Sequence, residues 1–178
     1  MYKTEEIKIA NATSRSGGAS AINKDGSIRA VVPRYVADNI SKDDTILDFG
    51  AGKGALHTLW LREQGFDCVA YDFGDNVVEG LHDKDALSKQ YKVIMASNVL
   101  NVQSSKQMLI ETLQQMYNSL APGGKLICNY PANPRKIEFF NATSMLLAIR
   151  SVFKDCRVYQ VGGSGSAPLW RISKSYIN

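Results

Sequence analysis

Cysteine and histidine are scarce in this chain, with three and two among 178 residues. Cys68, Cys128 and Cys156 lie far apart and form no C-x-x-C pair, which predicts neither a zinc site nor a disulfide framework. Cys68 and Cys128 fall inside apolar runs, where a thiol behaves as a small hydrophobe. His57 and His82 are too widely separated to suggest a metal site. No apolar run approaches the roughly 20 residues that a membrane helix needs. The opening segment MYKTEEIKIANATSRS lacks the apolar stretch of a signal peptide. A cytoplasmic protein without a membrane partner is the expectation.

The composition, 44% hydrophobic and 21% charged, is that of an ordinary folded domain. A chain of 178 residues fits one domain with a real core. The net charge of +4 is unevenly spread. Residues 1–42 carry seven Lys/Arg against four Asp/Glu, residues 43–124 six against eleven, and residues 125–178 eight against two. An acidic middle between basic ends suits an anionic partner such as nucleic acid, and equally suits solvated basic faces.

From residue 44 onward short apolar runs alternate with helical patterns, which argues for a mostly parallel sheet covered on both faces. The expected strands are Thr45–Asp48, Phe66–Asp72, Lys92–Ser97, Lys125–Tyr130, Arg157–Val161 and Leu169–Ser173. Helices are expected over Ala55–Gln64, Asn76–His82, Ser105–Leu120 and Ile137–Phe153. Ahead of them, Ser14–Gly18 reads as a loop, and Ile28–Ile40 as a helix interrupted near Pro33. The run from Ser14 to Ser20, with Lys24, Arg29 and Arg34, is a basic preface that either orders over a phosphate or substrate or remains a mobile terminus.

The most specific stretch is Thr45-Ile46-Leu47-Asp48-Phe49-Gly50-Ala51-Gly52-Lys53-Gly54. An apolar strand ends in an acid and passes through alternating glycines into a helix. Such a turn lets a ligand approach the backbone and faces it with a helix start. Glycine spacing alone would also allow a dinucleotide site. However, Asp48 and Lys53 set it apart, since a carboxylate suits a cationic amino-acid moiety and repels a pyrophosphate.

This Asp-x-Gly-x-Gly-x-Gly pattern resembles the first motif of the class I S-adenosylmethionine-dependent methyltransferases. The resemblance runs from about Thr45 to Tyr130. Cys68-Val69-Ala70-Tyr71-Asp72 is similar to the family's second strand, whose terminal acid binds the ribose hydroxyls. Lys92 to Val102 is similar to its fourth-strand motif, and Leu120-Ala121-Pro122-Gly123-Gly124 to its Pro-Gly-Gly turn. The resemblance implies S-adenosylmethionine as cofactor, a turn of Asp48, Phe49, Gly50, Ala51 and Gly52 around its methionine, and Asp72 on its ribose. It sets Phe73 against the adenine, with a core contact as the competing reading, and Asp85 near the adenine amino group. Ser97 and Asn98 would border the methyl group, although Asn98 and Asn101 equally suit a role in satisfying strand-end backbone. Asn98 and Tyr130 are the candidate catalytic contacts, and no general base stands out.

The pattern Asp/Asn/Ser-Pro-Pro-aromatic of amino-group DNA methyltransferases does not occur after the fourth strand, where Ser97-Asn98-Val99-Leu100 stands. Asn129-Tyr130-Pro131-Ala132-Asn133-Pro134 falls after the fifth. There is also no Pro-Cys dipeptide for attack on cytosine.

The expected fold is therefore α/β: a doubly wound, mostly parallel seven-stranded-type sheet with helices on both faces and a C-terminal antiparallel hairpin. Residues 1–43 would be a lid or substrate-side segment, and residues 44–178 the cofactor-binding domain. The implied activity is methyl transfer, leaning to nucleic acid, a nucleotide or another anionic acceptor. A non-catalytic cofactor-binding module or accessory subunit is the alternative. A third reading, an NAD-dependent oxidoreductase, is disfavoured by Asp48. The loop Gly162–Pro168 is a further candidate for a mobile substrate element.

Overall fold

A computed structural model describes residues 2–15, 22–131 and 140–176. Two helices, α1 (Thr4–Arg15) and α2 (Val31–Asn39), precede β1 (Ile46–Phe49), α3 (Leu56–Glu63) and β2 (Cys68–Tyr71). Then come β3 (Tyr91–Ala96), α4 (Lys106–Ser119), β4 (Leu120–Asn129), α5 (Ala142–Val152), β5 (Cys156–Gly163) and β6 (Pro168–Lys174). The sheet runs in the order β2-β1-β3-β4-β6-β5, parallel from β2 to β4 and antiparallel where β6 joins β4 and β5.

Every residue of β1 is buried, as expected of a central parallel strand covered on both faces. Successive side chains point to opposite faces and so divide the core. Leu47 and Phe49 join Ile94, Leu126 and Cys128 under α4 and α5, whose Leu109, Leu113, Met145 and Ile149 pack there. Ile46 joins Val93, Met95 and Ile127 under Val32 and Val36 of α2 and Leu61 of α3. Burial pushes the Cys128 thiol up to about 12, leaving it an inert hydrophobe. No described helix is long and apolar enough to cross a membrane.

Among the described residues the sheet has six strands, one fewer than the seven-stranded type. No helix forms over Asn76–His82. A 3-10 turn at Gly74–Asn76 is followed by a single parallel bridge between His82 and Ala70 on the free edge of β2. The β-branched pair Val77-Val78 and the glycine at position 80 oppose a helix there. One bridge is all that occupies the place of a third strand.

Pro33 does not interrupt α2, because it lies in the first turn, where no N–H is needed. Ser14 and Arg15 belong to α1 rather than to a loop, while 16–18 of that stretch and 137–139 of the expected last helix lie outside the described residues, as do Asn133 and Pro134. Ala121–Gly124 is looped out of register: Tyr91 pairs with Leu120 but Val93 with Lys125. Gly162 and Gly163 are in β5, and Ser164 and Ala167 close a tight hairpin through mutual backbone bonds of 3.1 and 3.2 Å.

The chain passes from β1 outward to β2 and then crosses to β3, so the sheet reverses its winding between β1 and β3. Ligands in such folds bind at the carboxyl ends of the strands flanking that point. The α1 helix lies beside this edge. Its Asn11 donates to the Phe73 carbonyl at 3.2 Å, and Tyr2 ahead of it packs against the Phe73 ring in a tilted arrangement, with centroids 5.1 Å apart. Gly74 has φ +60, and a Cβ there would stand 2.5 Å from Ile7 Cγ2 and 2.6 Å from Asn11 Nδ2. Gly74→Ala is expected to cost about 2–4 kcal/mol, combining left-handed strain with overpacking. Urea unfolding followed by circular dichroism measures the loss, and hydrogen exchange in α1 shows whether that helix detaches.

Candidate active site

The carboxyl ends of β1, β2 and β3 bring together most of the residues singled out in the sequence. Asp48 and Phe49 are neighbours on β1 and therefore face opposite ways. Phe49 is core, its ring 5.0 Å from that of Tyr71, and only its backbone borders the turn. Asp48 is only 1% exposed and points to the α3 side, where its Oδ2 accepts a hydrogen bond from Thr58 Oγ1 at 2.7 Å. No cation pairs with Asp48 among the described residues. Burial pushes this carboxyl up to about 7, and the neighbouring charge of Asp72 adds to the rise against the Thr58 hydrogen bond.

The glycine turn is fastened to β2. Gly50 N and Ala51 N both donate to the Tyr71 carbonyl, at 2.9 and 3.0 Å. Gly50 is required on two counts: its φ is +76, and a Cβ would stand 2.7 Å from Val99 Cγ2. Above Gly52 an added Cβ would meet nothing within 4 Å, so this side of the turn is open to a ligand. The turn ends on Ala55, a left-handed residue with φ 42 that starts α3, a strained conformation of the kind that gathers at functional sites.

Asp72, at the end of β2, organises this turn as well as lining it. Its Oδ2 accepts from Gly52 N at 2.7 Å, and its Oδ1 from Phe73 N at 2.8 Å and Asn76 Nδ2 at 3.3 Å. Burial raises its pKa, opposed by the donating N–H groups of Phe73 and Gly52. His82 completes the frame. Val78 N donates to its Nδ1 at 3.1 Å, so the proton sits on Nε2, which donates to the Gly52 carbonyl at 2.9 Å. Thr58 and His82 were not legible as site residues, since their partners lie 10 and 30 residues away.

At the end of β3, Ser97 Oγ is buried and has no hydrogen-bond partner among the described residues. Asn98 is exposed in a left-handed conformation with φ 56. Its backbone N–H donates to Asn129 Oδ1 and its Oδ1 accepts from Asn129 Nδ2, both at 2.8 Å. The backbone donor fixes the Asn129 amide orientation, and through it that of Asn98, whose Nδ2 is thereby left as a donor. Asn129 is the partner that the sequence reading missed.

Two candidates stand apart. Tyr130 is 1% exposed within the core, and its hydroxyl donates to the Phe140 carbonyl at 2.6 Å, a packing role. Asp85 is exposed just past the His82 bridge. The acid before it, Asp83, is engaged, accepting from Asp85 N at 2.8 Å and pairing with Lys89 at 2.7 Å.

Comparison with known proteins agrees with this geometry. The methyltransferase-domain family matches residues 22–160. An rRNA adenine N-6-methyltransferase of Bacillus licheniformis is 32% identical over 95 residues, which cover 53% of this chain and 32% of that protein. The chain thus spans about a third of the length of the curated relatives it matches. Among solved structures, a TehB-like SAM-dependent methyltransferase from Corynebacterium glutamicum aligns with a TM-score of 0.65 at 15% identity, over 94% of this chain and 98% of that one. Human N-acetylserotonin methyltransferase, in complex with SAM, aligns with a TM-score of 0.54 at 15% identity, over 82% and 52%. At such identities the structures speak for the fold. The residues matched by the family carry the conclusion: this chain belongs to the methyltransferase-domain family.

Proposed function

We propose that this protein transfers the methyl group of S-adenosylmethionine to nucleic acid. The observation that carries the cofactor is Asp48, a buried carboxylate with one hydroxyl partner and no counter-charge among the described residues. A buried acid in that state is costly, and the ammonium of a methionyl moiety relieves it. The open space above Gly52 and the orphan hydroxyl of Ser97 fit the same ligand. When bound, the cofactor supplies a sulfonium methyl group that passes to a nucleophile in one displacement.

The chain's own part is to grip, align and exclude water. Asp72 holds the ribose. A carboxylate has about four acceptor positions, and three on Asp72 are occupied by Gly52, Phe73 and Asn76. One diol hydroxyl takes the open position, and the second displaces the long 3.3 Å contact to Asn76. Phe73 lines the adenine side, and α1 covers it as a lid through Tyr2 and Asn11. Asn98, braced by Asn129, presents a donor to the acceptor, suited to a ring nitrogen or carbonyl of a base.

Nucleic acid is favoured as acceptor by the basic ends of the chain and by the relative from Bacillus licheniformis, an rRNA adenine N-6-methyltransferase. This reading implies the cytoplasm, where cofactor and RNA meet. Transfer of tritiated methyl to RNA, DNA and small-metabolite pools tests it. Label in RNA or DNA is expected. Label confined to metabolites contradicts the acceptor, and cofactor binding without any labelling favours the non-catalytic module. Asn129→Ala is expected to keep cofactor affinity within about twofold while slowing transfer at least tenfold, roughly what orphaning a buried polar group costs.

A further inference from the structure

On the sheet face that carries α2 and α3 lies a cavity of about 380 Å³, whose lining includes Asn23, Ser27, Arg29, Arg34, Asp38 and Trp60. Its size is that of a small-ligand pocket. Chain direction sets its place. The α2 helix leads through 40–45 into the amino end of β1, so it begins near the carboxyl edge, and α3 begins at that edge directly after the glycine turn. Arg34 and Trp60 each lie about one turn into these helices. Asp38 lies near the far end of α2, so the cavity runs along the middle of these helices, on the sheet face to which Asp48 points.

The wall formed by residues 22–29 is a braced hairpin. Ile22 and Ile28 form an antiparallel bridge, Asn23 N donates to Ser27 O at 2.7 Å, and Asn23 Nδ2 donates to Ser27 Oγ at 2.7 Å. Arg29 Nε donates to Asn23 Oδ1, which aims the guanidinium. Arg34 has no side-chain hydrogen bond or ion pair among the described residues, although Asp38 follows one turn later on α2. A cation ahead of an acid is the weaker orientation for such a pair. Trp60 is half-buried against the apolar cluster of Val32, Val36 and Leu61, with its indole N–H unbonded among the described residues.

The geometry points to a nucleotide-binding subsite in this cavity, taking one unit of the single-stranded nucleic acid that serves as acceptor. Arg29 and Arg34 take the backbone phosphate, Trp60 offers its ring to the base, and Asp38 accepts from a sugar hydroxyl or base amino group. Two guanidinium groups against one carboxylate leave the lining positive, complementary to a phosphodiester. This inference rests on nucleic acid being the acceptor.

The test is fluorescence anisotropy of labelled single-stranded RNA and DNA oligonucleotides with the wild-type chain, Arg34→Glu and Trp60→Leu. Titration of the same variants with S-adenosylmethionine verifies that each remains folded and cofactor-competent. Arg34→Glu is expected to weaken oligonucleotide binding at least tenfold and to lower the slope of log affinity against log salt by about one. Trp60→Leu is expected to weaken it about tenfold with the salt slope unchanged. The tighter of the two oligonucleotides names the polymer. Wild-type affinity in both variants overturns the subsite while leaving the acceptor standing. If the wild-type chain binds neither oligonucleotide, the acceptor reading fails and the subsite with it.

Discussion

Asp72→Ala is expected to weaken S-adenosylmethionine binding by a hundredfold or more while leaving the thermal midpoint nearly unchanged. The two effects have different origins. Binding loses two hydrogen bonds from the ribose diol to an ionised oxygen pair, each worth about 1.5–3 kcal/mol, or about 10²–10⁴ in affinity together. It also loses the anchor that holds Gly52 N at 2.7 Å and thus shapes the turn. Stability moves in both directions. The bonds from Gly52, Phe73 and Asn76 disappear, but so does a carboxyl whose pKa burial has raised, which the folded chain ionises only at a cost. Isothermal titration and a thermal melt on the same sample separate these terms. A fall in midpoint that parallels the loss of affinity would mean that Asp72 acts chiefly as a structural tie. Asp72→Asn is expected to bind nearly as poorly, because its amide nitrogen cannot accept where Oδ2 does.

Cofactor affinity is also expected to fall on acidification, by up to about tenfold per pH unit below about 7. The sign follows from Asp48. In the free chain burial pushes its carboxyl up to about 7, so below that pH the group holds a proton. Pairing with an ammonium requires the ionised form, so binding below about pH 7 releases one proton, and affinity rises with pH until the group is already charged. The stability of the free chain runs the other way. The folded state keeps this proton between the ordinary carboxylate range and about pH 7, where the unfolded chain has lost it, so this contribution is lost as pH rises through that window. Calorimetry at several pH values, in buffers of different ionisation enthalpy, counts the proton directly. Asp48→Asn removes the dependence along with most of the affinity. A wild-type affinity that is flat from pH 5 to pH 8 would show that Asp48 does not meet the cation.

The parts of the site that were legible in the sequence are those that short-range order dictates. A strand closing on Asp48, a turn of glycines and a helix behind it form one contiguous stretch, and the same holds for β2 with Asp72 at its end. Both acids were predicted, and both lie on the carboxyl edge beside the turn. What the sequence concealed is long-range. Thr58 under Asp48, His82 on the Gly52 carbonyl and Asn129 against Asn98 are defined by partners brought together only by the sheet. Tyr130 looked polar and available beside the strand end, yet strand alternation turns it into the core, where its hydroxyl donates a hydrogen bond to the Phe140 carbonyl. The stretch 72–90 misled for a different reason. Val77, Val78 and Gly80 weaken a helix at Asn76–His82, and Asp83 N pairs with Ala70 O at 2.9 Å and draws the segment along the edge of β2. Tertiary pairing there acts on a stretch of weak helix propensity.

The central claim is that a buried acid without a counter-charge among the described residues and a second acid across the glycine turn hold the two ends of a sulfonium nucleoside. It is tested most directly by calorimetric titration of the folded chain with S-adenosylmethionine, S-adenosylhomocysteine and NAD in parallel. Saturable binding of the first two at one per chain, with no heat from NAD, is the predicted result. Preferential binding of NAD, or undiminished uptake of S-adenosylmethionine by both Asp48→Ala and Asp72→Ala, would contradict it.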